Sequence, residues 1–130
     1  MDKLLSGRSI LIIEDEMLIL MMIEDMLADL GCESVSVASK IGQAITLIDG
    51  QVFDAAMVDL NLSGVESYPI ADALMARDVP YFFSTGSSVA NIRHGYREQD
   101  VLKKPFTFDQ LSDMLSRSLL RASNVERLRH

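Results

Sequence analysis

The sequence has few of the features on which extracellular and membrane proteins depend. Cys32 is the single cysteine, which excludes an intrachain disulfide, and its place beside Gly31 indicates a small buried hydrophobic residue. There is no stretch of 18 apolar residues, and the first residues lack the apolar core of a secretory signal peptide. We therefore expect a soluble, cytoplasmic protein with no membrane partner.

Basic residues are scarce as well. Lys and Arg number 12 against 19 Asp and Glu, which gives a formal net charge of −7 at pH 7. The last fourteen residues hold four arginines and one glutamate, so the rest of the chain carries −10. Because contacts with nucleic-acid phosphates need clustered Lys and Arg, we expect no nucleic-acid partner.

The size of the chain fits one domain. Its 130 residues are too few for two hydrophobic cores, and a hydrophobic content of 48% is enough to bury both faces of a central sheet. We predict a single domain over residues 1–130, with a core at about 8–120 and a helical extension or tail at 121–130. A monomer or a weak homodimer is expected.

Short apolar runs alternate with helical patterns along the chain. The runs predict five strands, at roughly 8–13, 33–38, 53–58, 80–84 and 100–103. The first helix has apolar residues at helical spacing from Ile19 to Leu30, and its methionines are interpreted as core filler rather than an interface: Met17, Met21, Met22 and Met26. The later helices are predicted from Ile41 to Gly50, from near Pro69 to Arg77, weakly at about 89–97, and from Thr107 onward. This alternation predicts an α/β fold with a parallel sheet and helices on both faces.

Carboxylates follow two of the predicted strands. Glu14 and Asp15 come directly after the first strand, and Asp59 comes directly after the apolar run of the third. In open parallel sheets the functional site lies beyond the carboxyl ends of the strands. Three carboxylates about 5 Å apart repel by about 3 kcal/mol per pair at an effective dielectric near 20. The pattern therefore predicts an acidic pocket that binds a hard cation such as Mg²⁺ and can accept a phosphoryl group.

Four short motifs in order extend this pattern. Glu14-Asp15, Asp59, Thr85-Gly86 and Lys104-Pro105 each stand at a predicted strand end, and together they resemble the receiver domain of bacterial two-component response regulators. The resemblance spans about residues 8–120. It implies a doubly wound, flavodoxin-like fold with a five-stranded parallel sheet in the order 2-1-3-4-5.

The resemblance also implies a role for each site residue. Asp59 is the expected phosphoacceptor, and Mg²⁺ is expected on Glu14, Asp15, Asp59 and the backbone carbonyl of Asn61. Thr85 is expected to donate a hydrogen bond to a phosphoryl oxygen, and Lys104 is expected to supply positive charge. Three alternatives stay open: Ser84 or Ser87 in place of Thr85, Lys103 in place of Lys104, and strand-end acids that are merely solvated. Pro105 is a candidate for a cis peptide bond.

Two positions depart from the usual receiver pattern. Val101 stands where many receivers have an aromatic residue three positions before the lysine, so the usual Thr-to-aromatic switch is not expected. The segment Phe83-Ser84-Thr85-Gly86 resembles the F-A-T-G signature of an atypical subfamily of stand-alone receivers, which lacks that aromatic residue too. The subfamily works with histidine kinases of the HWE and related classes.

We therefore expect a single-domain response regulator that accepts a phosphoryl group from a histidine kinase or a histidine phosphotransfer protein. It would signal by protein contact or act as a phosphate sink, with no enzymatic activity beyond its own phosphorylation and slow dephosphorylation. The alternative is a pseudo-receiver that works without phosphate, which Mg²⁺ binding would distinguish. A flavodoxin-type electron carrier is disfavoured because Glu14-Asp15-Glu16 would repel a flavin phosphate. An aspartate phosphohydrolase is disfavoured because Asn61, not an acid, follows Asp59 by two residues.

Overall fold

The computed structural model describes residues 3–87, 92–96 and 100–129, with side chains described as far as residue 121. Its elements are β1 (Ser9–Ile13), α1 (Met17–Asp29), β2 (Ser34–Ala38), α2 (Ile41–Gly50), β3 (Ala55–Asp59), β4 (Asn61–Leu62), β5 (Val65–Glu66), α3 (Tyr68–Ala76), β6 (Tyr81–Thr85), β7 (Val101–Lys103) and α4 (Phe108–Arg129). In the described part of the chain, no helix combines the length and the apolar character needed to cross a membrane.

Five of the strands form one parallel sheet. Their spatial order is β2-β1-β3-β6-β7, which is the predicted order 2-1-3-4-5 once the two short strands β4 and β5 are left out of the count. Each neighbouring pair is parallel. The predicted fold class is therefore confirmed, and the carboxyl ends of β1, β3 and β6 meet at one edge.

The core lies on both faces of this sheet. Successive side chains of a strand point to opposite faces, so Met57 and Phe82 pack toward α1 and α4, whereas Val58 and Phe83 pack toward α2 and α3. All five residues of β3 are buried. Burial of each large apolar side chain stabilises the fold by roughly 2 kcal/mol, and it leaves β3 fixed between two helical layers.

The helix ends follow the sequence signals. Gly31, after α1, has a φ of +86°, and a Cβ there would lie 2.8 Å from the Lys3 Cβ, so glycine is required. At the start of α4, the Thr107 N–H donates to the Gln110 side chain (2.8 Å) and the Gln110 N–H donates to Thr107 Oγ1 (3.2 Å). This reciprocal pair makes Thr107 the N-cap. Helix α4 therefore begins at Phe108, one position later than the predicted start.

Three observations differ from the expectations or fall outside them. The predicted loop after Asp59 contains a small antiparallel hairpin of β4 and β5. The predicted fourth helix, at about 89–97, lies partly outside the described residues, and its described part, 92–96, is a turn rather than a helix. The interpretation of the α1 methionines as core filler is wrong for three of them, because Met17, Met21 and Met22 are exposed. Met26 does pack against the core.

Candidate functional site

An open cleft of about 400 Å³ lies at the sheet edge where β1, β3 and β6 end. Among the predicted site residues it is lined by Asp15, Asp59, Asn61, Thr85 and Lys104. Glu14 lies behind the cleft wall and is only 2% exposed. The fold thus brings together the predicted site residues, although they come from four separate segments of the chain.

Three carboxylates gather at this edge. Glu14, Asp15 and Asp59 each offer an oxygen, and these oxygens lie within 4.8 Å of one another. The spacing follows from the parallel register, in which Ile13 at the end of β1 is the partner of Val58, the residue before Asp59. A set of oxygen ligands at this spacing fits a hard divalent cation such as Mg²⁺.

Lys104 connects two of the three acids. Its Nζ donates to Glu14 Oε1 at 2.7 Å and to Asp59 Oδ2 at 3.2 Å, and the lysine side chain is 14% exposed. Burial disfavours its charged form, but the hydrogen bond and charge of Glu14 and the charge of Asp59 outweigh this and raise the pKa of Lys104. The lysine therefore stays an ammonium group inside the site.

Glu14 is held by more than Lys104. Its second oxygen, Oε2, accepts the backbone N–H groups of Asp15 (3.0 Å) and Glu16 (3.1 Å). With three hydrogen bonds, the Glu14 carboxylate is held in place behind the cleft.

Asp59 has an unusual protonation equilibrium for an aspartate. Burial and the adjacent Glu14 carboxylate raise the pKa of Asp59 from 3.8 to about 7, against the opposing effects of Lys104 and of a hydrogen bond from the Asn61 N–H. That N–H donates to Oδ1 at 3.2 Å. The backbone is held too, since Ser67 Oγ donates to the Asp59 carbonyl oxygen at 2.6 Å.

The third acid is oriented by a residue that the sequence interpretation did not single out. Ser63 Oγ donates a short hydrogen bond to Asp15 Oδ2, and both residues line the cleft. Ser63 lies 48 residues from Asp15 in the chain, in the turn between β4 and β5. No periodic signal marks a turn serine as the partner of a distant carboxylate, so only the fold reveals it.

The geometry of the cleft distinguishes among the alternatives that the sequence left open for the threonine and the lysine. Thr85 and Ser87 line the cleft, and Thr85 Oγ1 accepts the Ser87 N–H at 3.0 Å, which leaves the hydroxyl proton of Thr85 free to donate. Ser84 lies on the other face of β6 and does not line the cleft. Lys103 is exposed and is absent from the cleft lining, whereas Lys104 reaches the acids. The Lys104–Pro105 peptide bond is cis, as predicted.

The match to known proteins agrees with this arrangement. Residues 10–116 match the family model described as the response regulator receiver domain. The solution structure of SdrG from Sphingomonas melonis Fr1 is 41% identical, with a TM-score of 0.76 over 87% of this chain and 96% of SdrG. The BeF3-activated conformation of SdrG from Pseudomonas melonis Fr1 is also 41% identical, with a TM-score of 0.75 over 85% of this chain and 95% of that one.

A more distant likeness is to half of a longer protein. The crystal structure of the anti-anti-sigma factor PhyR from Bartonella quintana is 25% identical, with a TM-score of 0.82 over 95% of this chain and 51% of PhyR. No curated protein sequence matches the chain. The family model spans most of the chain, and SdrG is similar over nearly its whole length. The chain therefore belongs to the response regulator receiver domain family.

Proposed function

We propose that this receiver accepts a phosphoryl group on Asp59 from a histidine kinase or a histidine phosphotransfer protein. The observation that carries the proposal is the setting of Asp59. It is a buried carboxylate at a strand end that lines an open cleft, lies among oxygens suited to a divalent cation, and contacts a lysine ammonium at 3.2 Å. A buried nucleophile beside fixed positive charge is what phosphoryl transfer requires.

The chemical step follows from this placement. An oxygen of the ionised Asp59 carboxylate attacks phosphorus, and the phosphorus–nitrogen bond of the donor phosphohistidine breaks in line with that attack. The electron pair of that bond stays on the imidazole, which is released as the neutral donor ring after proton uptake. Lys104 balances negative charge on the transferred group, and Thr85 donates its hydroxyl proton to a phosphoryl oxygen.

Mg²⁺ is the cofactor that the donor set fits. Asp15, Asp59 and the Asn61 carbonyl would hold it, and Glu14, whose carboxylate already makes three hydrogen bonds, would act by its charge or through a retained water. When bound, the ion neutralises charge on the phosphoryl oxygens. Its presence would also favour the ionised, nucleophilic form of Asp59, because an added positive charge opposes the raised pKa.

We also propose that the signal leaves the domain by protein contact or that the domain drains phosphate from a shared kinase. The segment Phe83-Ser84-Thr85-Gly86, with its resemblance to the F-A-T-G signature, supports a kinase partner of the HWE or a related class. PhyR is described as an anti-anti-sigma factor, and this chain covers half of it. We therefore propose an anti-sigma factor as one protein partner to test.

The experiment is phosphotransfer profiling. Purified histidine kinases of the source organism are autophosphorylated with radiolabelled ATP and mixed with this protein and Mg²⁺. We expect at least one kinase to transfer label to the wild type within minutes and none to label Asp59→Asn. A wild-type protein that takes no label from any kinase or phosphotransfer protein would contradict the proposal, and so would equal labelling of Asp59→Asn.

A further inference from the structure

The hydroxyl of Ser63 is aimed at a site carboxylate. It donates to Asp15 Oδ2 across the cleft wall, and the two residues belong to different loops at the same sheet edge. The other two acids already have their own fixed partners: Glu14 has Lys104 and two backbone N–H groups, and Asp59 has Lys104 and the Asn61 N–H. Ser63 gives the half-buried Asp15 a partner of the same kind.

Ser63 makes this hydrogen bond from a backbone conformation that is unfavourable for a residue with a side chain. Its φ is +51°, in the left-handed region that residues with a Cβ rarely adopt. The turn is fixed on both sides, because Asn61 Oδ1 accepts the Gly64 N–H at 2.8 Å and Leu62, which is buried, pairs with Val65. Gly64 beside it also has a positive φ, of +87°. A glycine at position 63 would adopt the same turn without strain, so the turn itself does not require the serine side chain.

From these observations we infer that Ser63 is a positioning residue for the metal-binding carboxylate of Asp15. The inference rests on the proposed function for the identity of the cation. It adds Ser63 to the site residues already described, which are the acids, the threonine and the lysine. The hydroxyl fixes the orientation of the Asp15 carboxylate, one oxygen of which belongs to the acid cluster. Partners of metal ligands that act in this way change metal affinity by about 10–100-fold when they are removed.

The test uses the full chain and two substitutions at this position. Ser63→Gly removes the hydroxyl and keeps the left-handed turn accessible. Ser63→Asn keeps a donor, and asparagine tolerates a positive φ better than other residues with a side chain. Ser39→Gly is the matched control, since Ser39 is an exposed loop serine near the same sheet edge whose N–H, not its hydroxyl, binds Gln43.

Mg²⁺ affinity is measured by isothermal titration calorimetry on metal-free protein. We expect Ser63→Gly to weaken Mg²⁺ binding by about tenfold or more. We expect Ser63→Asn to recover most of the affinity and Ser39→Gly to match the wild type. Thermal melts in EDTA check that each variant is folded, and Ser63→Gly is expected to melt no lower than the wild type.

A second measurement separates positioning from a general loss of function. With a small phosphodonor such as acetyl phosphate, Ser63→Gly should need about ten times more Mg²⁺ for its half-maximal labelling rate and should reach the wild-type rate at saturating Mg²⁺. Wild-type affinity in Ser63→Gly would overturn the inference, and so would tighter binding, which would mean that the hydroxyl competes with the ion. A wild type that binds Mg²⁺ but takes no phosphate would overturn the proposed function alone. A wild type that binds no Mg²⁺ would overturn both.

Discussion

At the scale of single residues, burial together with Glu14 and Lys104 sets the protonation equilibrium of Asp59. The lysine ammonium lies within 3.2 Å of one Asp59 oxygen, yet burial and the Glu14 charge still raise the pKa of Asp59 to about 7. The charged aspartate is thus a cost to the folded state in the absence of a cation. We interpret this cost as the electrostatic imbalance that a bound cation relieves.

The raised pKa of Asp59 predicts a pH-dependent stability. The folded state binds the Asp59 proton more tightly than the unfolded state does. The contribution of this proton to the free energy of unfolding is therefore fully present below about pH 4 and is lost as the pH rises to about 7. In EDTA, Asp59→Asn should therefore exceed the wild type in stability by a margin that grows between these pH values and then levels off. The full margin is on the order of 4 kcal/mol.

Urea denaturation at pH 4, 5, 6, 7 and 8 measures this margin. Asp29→Asn, at the exposed end of α1, is the control and should show no comparable trend. An Asp59→Asn variant that is less stable than the wild type at pH 8 would mean that the pair with Lys104 outweighs burial, and the account of the site electrostatics would be wrong.

Removal of the Ser84 hydroxyl is expected to increase the stability of the fold. Among the described residues, its Oγ is buried without a hydrogen-bond partner, and a buried unpaired hydroxyl costs free energy. Ser84→Ala should raise the free energy of unfolding by about 1 kcal/mol in urea.

A matched substitution gives the opposite expectation. Ser118 is equally buried, but its hydroxyl donates to the Met114 carbonyl and accepts from Arg121, so Ser118→Ala should lower stability by about 1 kcal/mol. If both serine variants lose stability alike, Ser84 has a partner in solution and the prediction is wrong.

The identities of the site residues could be predicted from the sequence, but their contacts could not. Asp59 and Lys104 each follow an apolar run, and the parallel sheet sends those ends to one edge. The bonds from Lys104 to Glu14 and from Ser63 to Asp15 join residues 90 and 48 positions apart. They depend on side-chain rotamers and loop paths, which leave no periodic trace in the chain.

At the scale of elements, the β4–β5 hairpin connects the site to the segment 92–96. Ser63 at its turn contacts Asp15, and Glu66 at its other end pairs with Arg93 at 3.1 Å. Arg93 also lies over the Tyr68 ring, 4.4 Å from its centre, and its backbone N–H donates to the Tyr68 hydroxyl at 2.9 Å. Residues 92–96 are thereby anchored to α3.

Removal of the Tyr68 hydroxyl is expected to destabilise residues 92–96 locally. Tyr68→Phe keeps the buried ring and its contact with Phe83 but leaves the Arg93 N–H without its acceptor. Hydrogen–deuterium exchange of residues 92–96 should become faster, with a loss of about 1–2 kcal/mol in local protection.

Tyr96→Phe provides the comparison. It removes a hydroxyl that bonds Asp72 at the surface, so its effect should be smaller than that of Tyr68→Phe. Equal exchange in Tyr68→Phe and the wild type would show that the hydroxyl does not anchor the segment.

Elements with strong periodicity were predictable, and short ones were not. The five main strands and the helices around them follow apolar spacing over five or more residues in most cases. The strands β4 and β5 have two residues each, which is too short for alternation to be read, and their pairing depends on the turn at Ser63 and Gly64.

At the scale of the whole molecule, the acidic net charge and the acid cluster of the candidate metal site both favour binding of a cation. The chain carries −7, and three of its carboxylates gather at one edge of the sheet. A cation that binds only the folded state stabilises the whole fold. Mg²⁺ at ten times its dissociation constant should raise the free energy of unfolding by about 1.4 kcal/mol.

Thermal melts with Mg²⁺ and with NaCl at equal ionic strength separate this effect from screening of the surface charge. The wild type should melt higher in Mg²⁺ than in NaCl, whereas Asp15→Ala should melt at the same temperature in both. A wild type that responds equally to the two salts would contradict a specific metal site.

The most direct test of the central claim is intact-mass spectrometry after incubation with acetyl phosphate and Mg²⁺. Asp59 is the proposed phosphoacceptor, so the wild type should gain the mass of one phosphoryl group and Asp59→Asn should gain none. Omission of Mg²⁺ should abolish the gain. An Asp59→Asn variant labelled to the wild-type extent, or a wild type that is never labelled, would contradict the account.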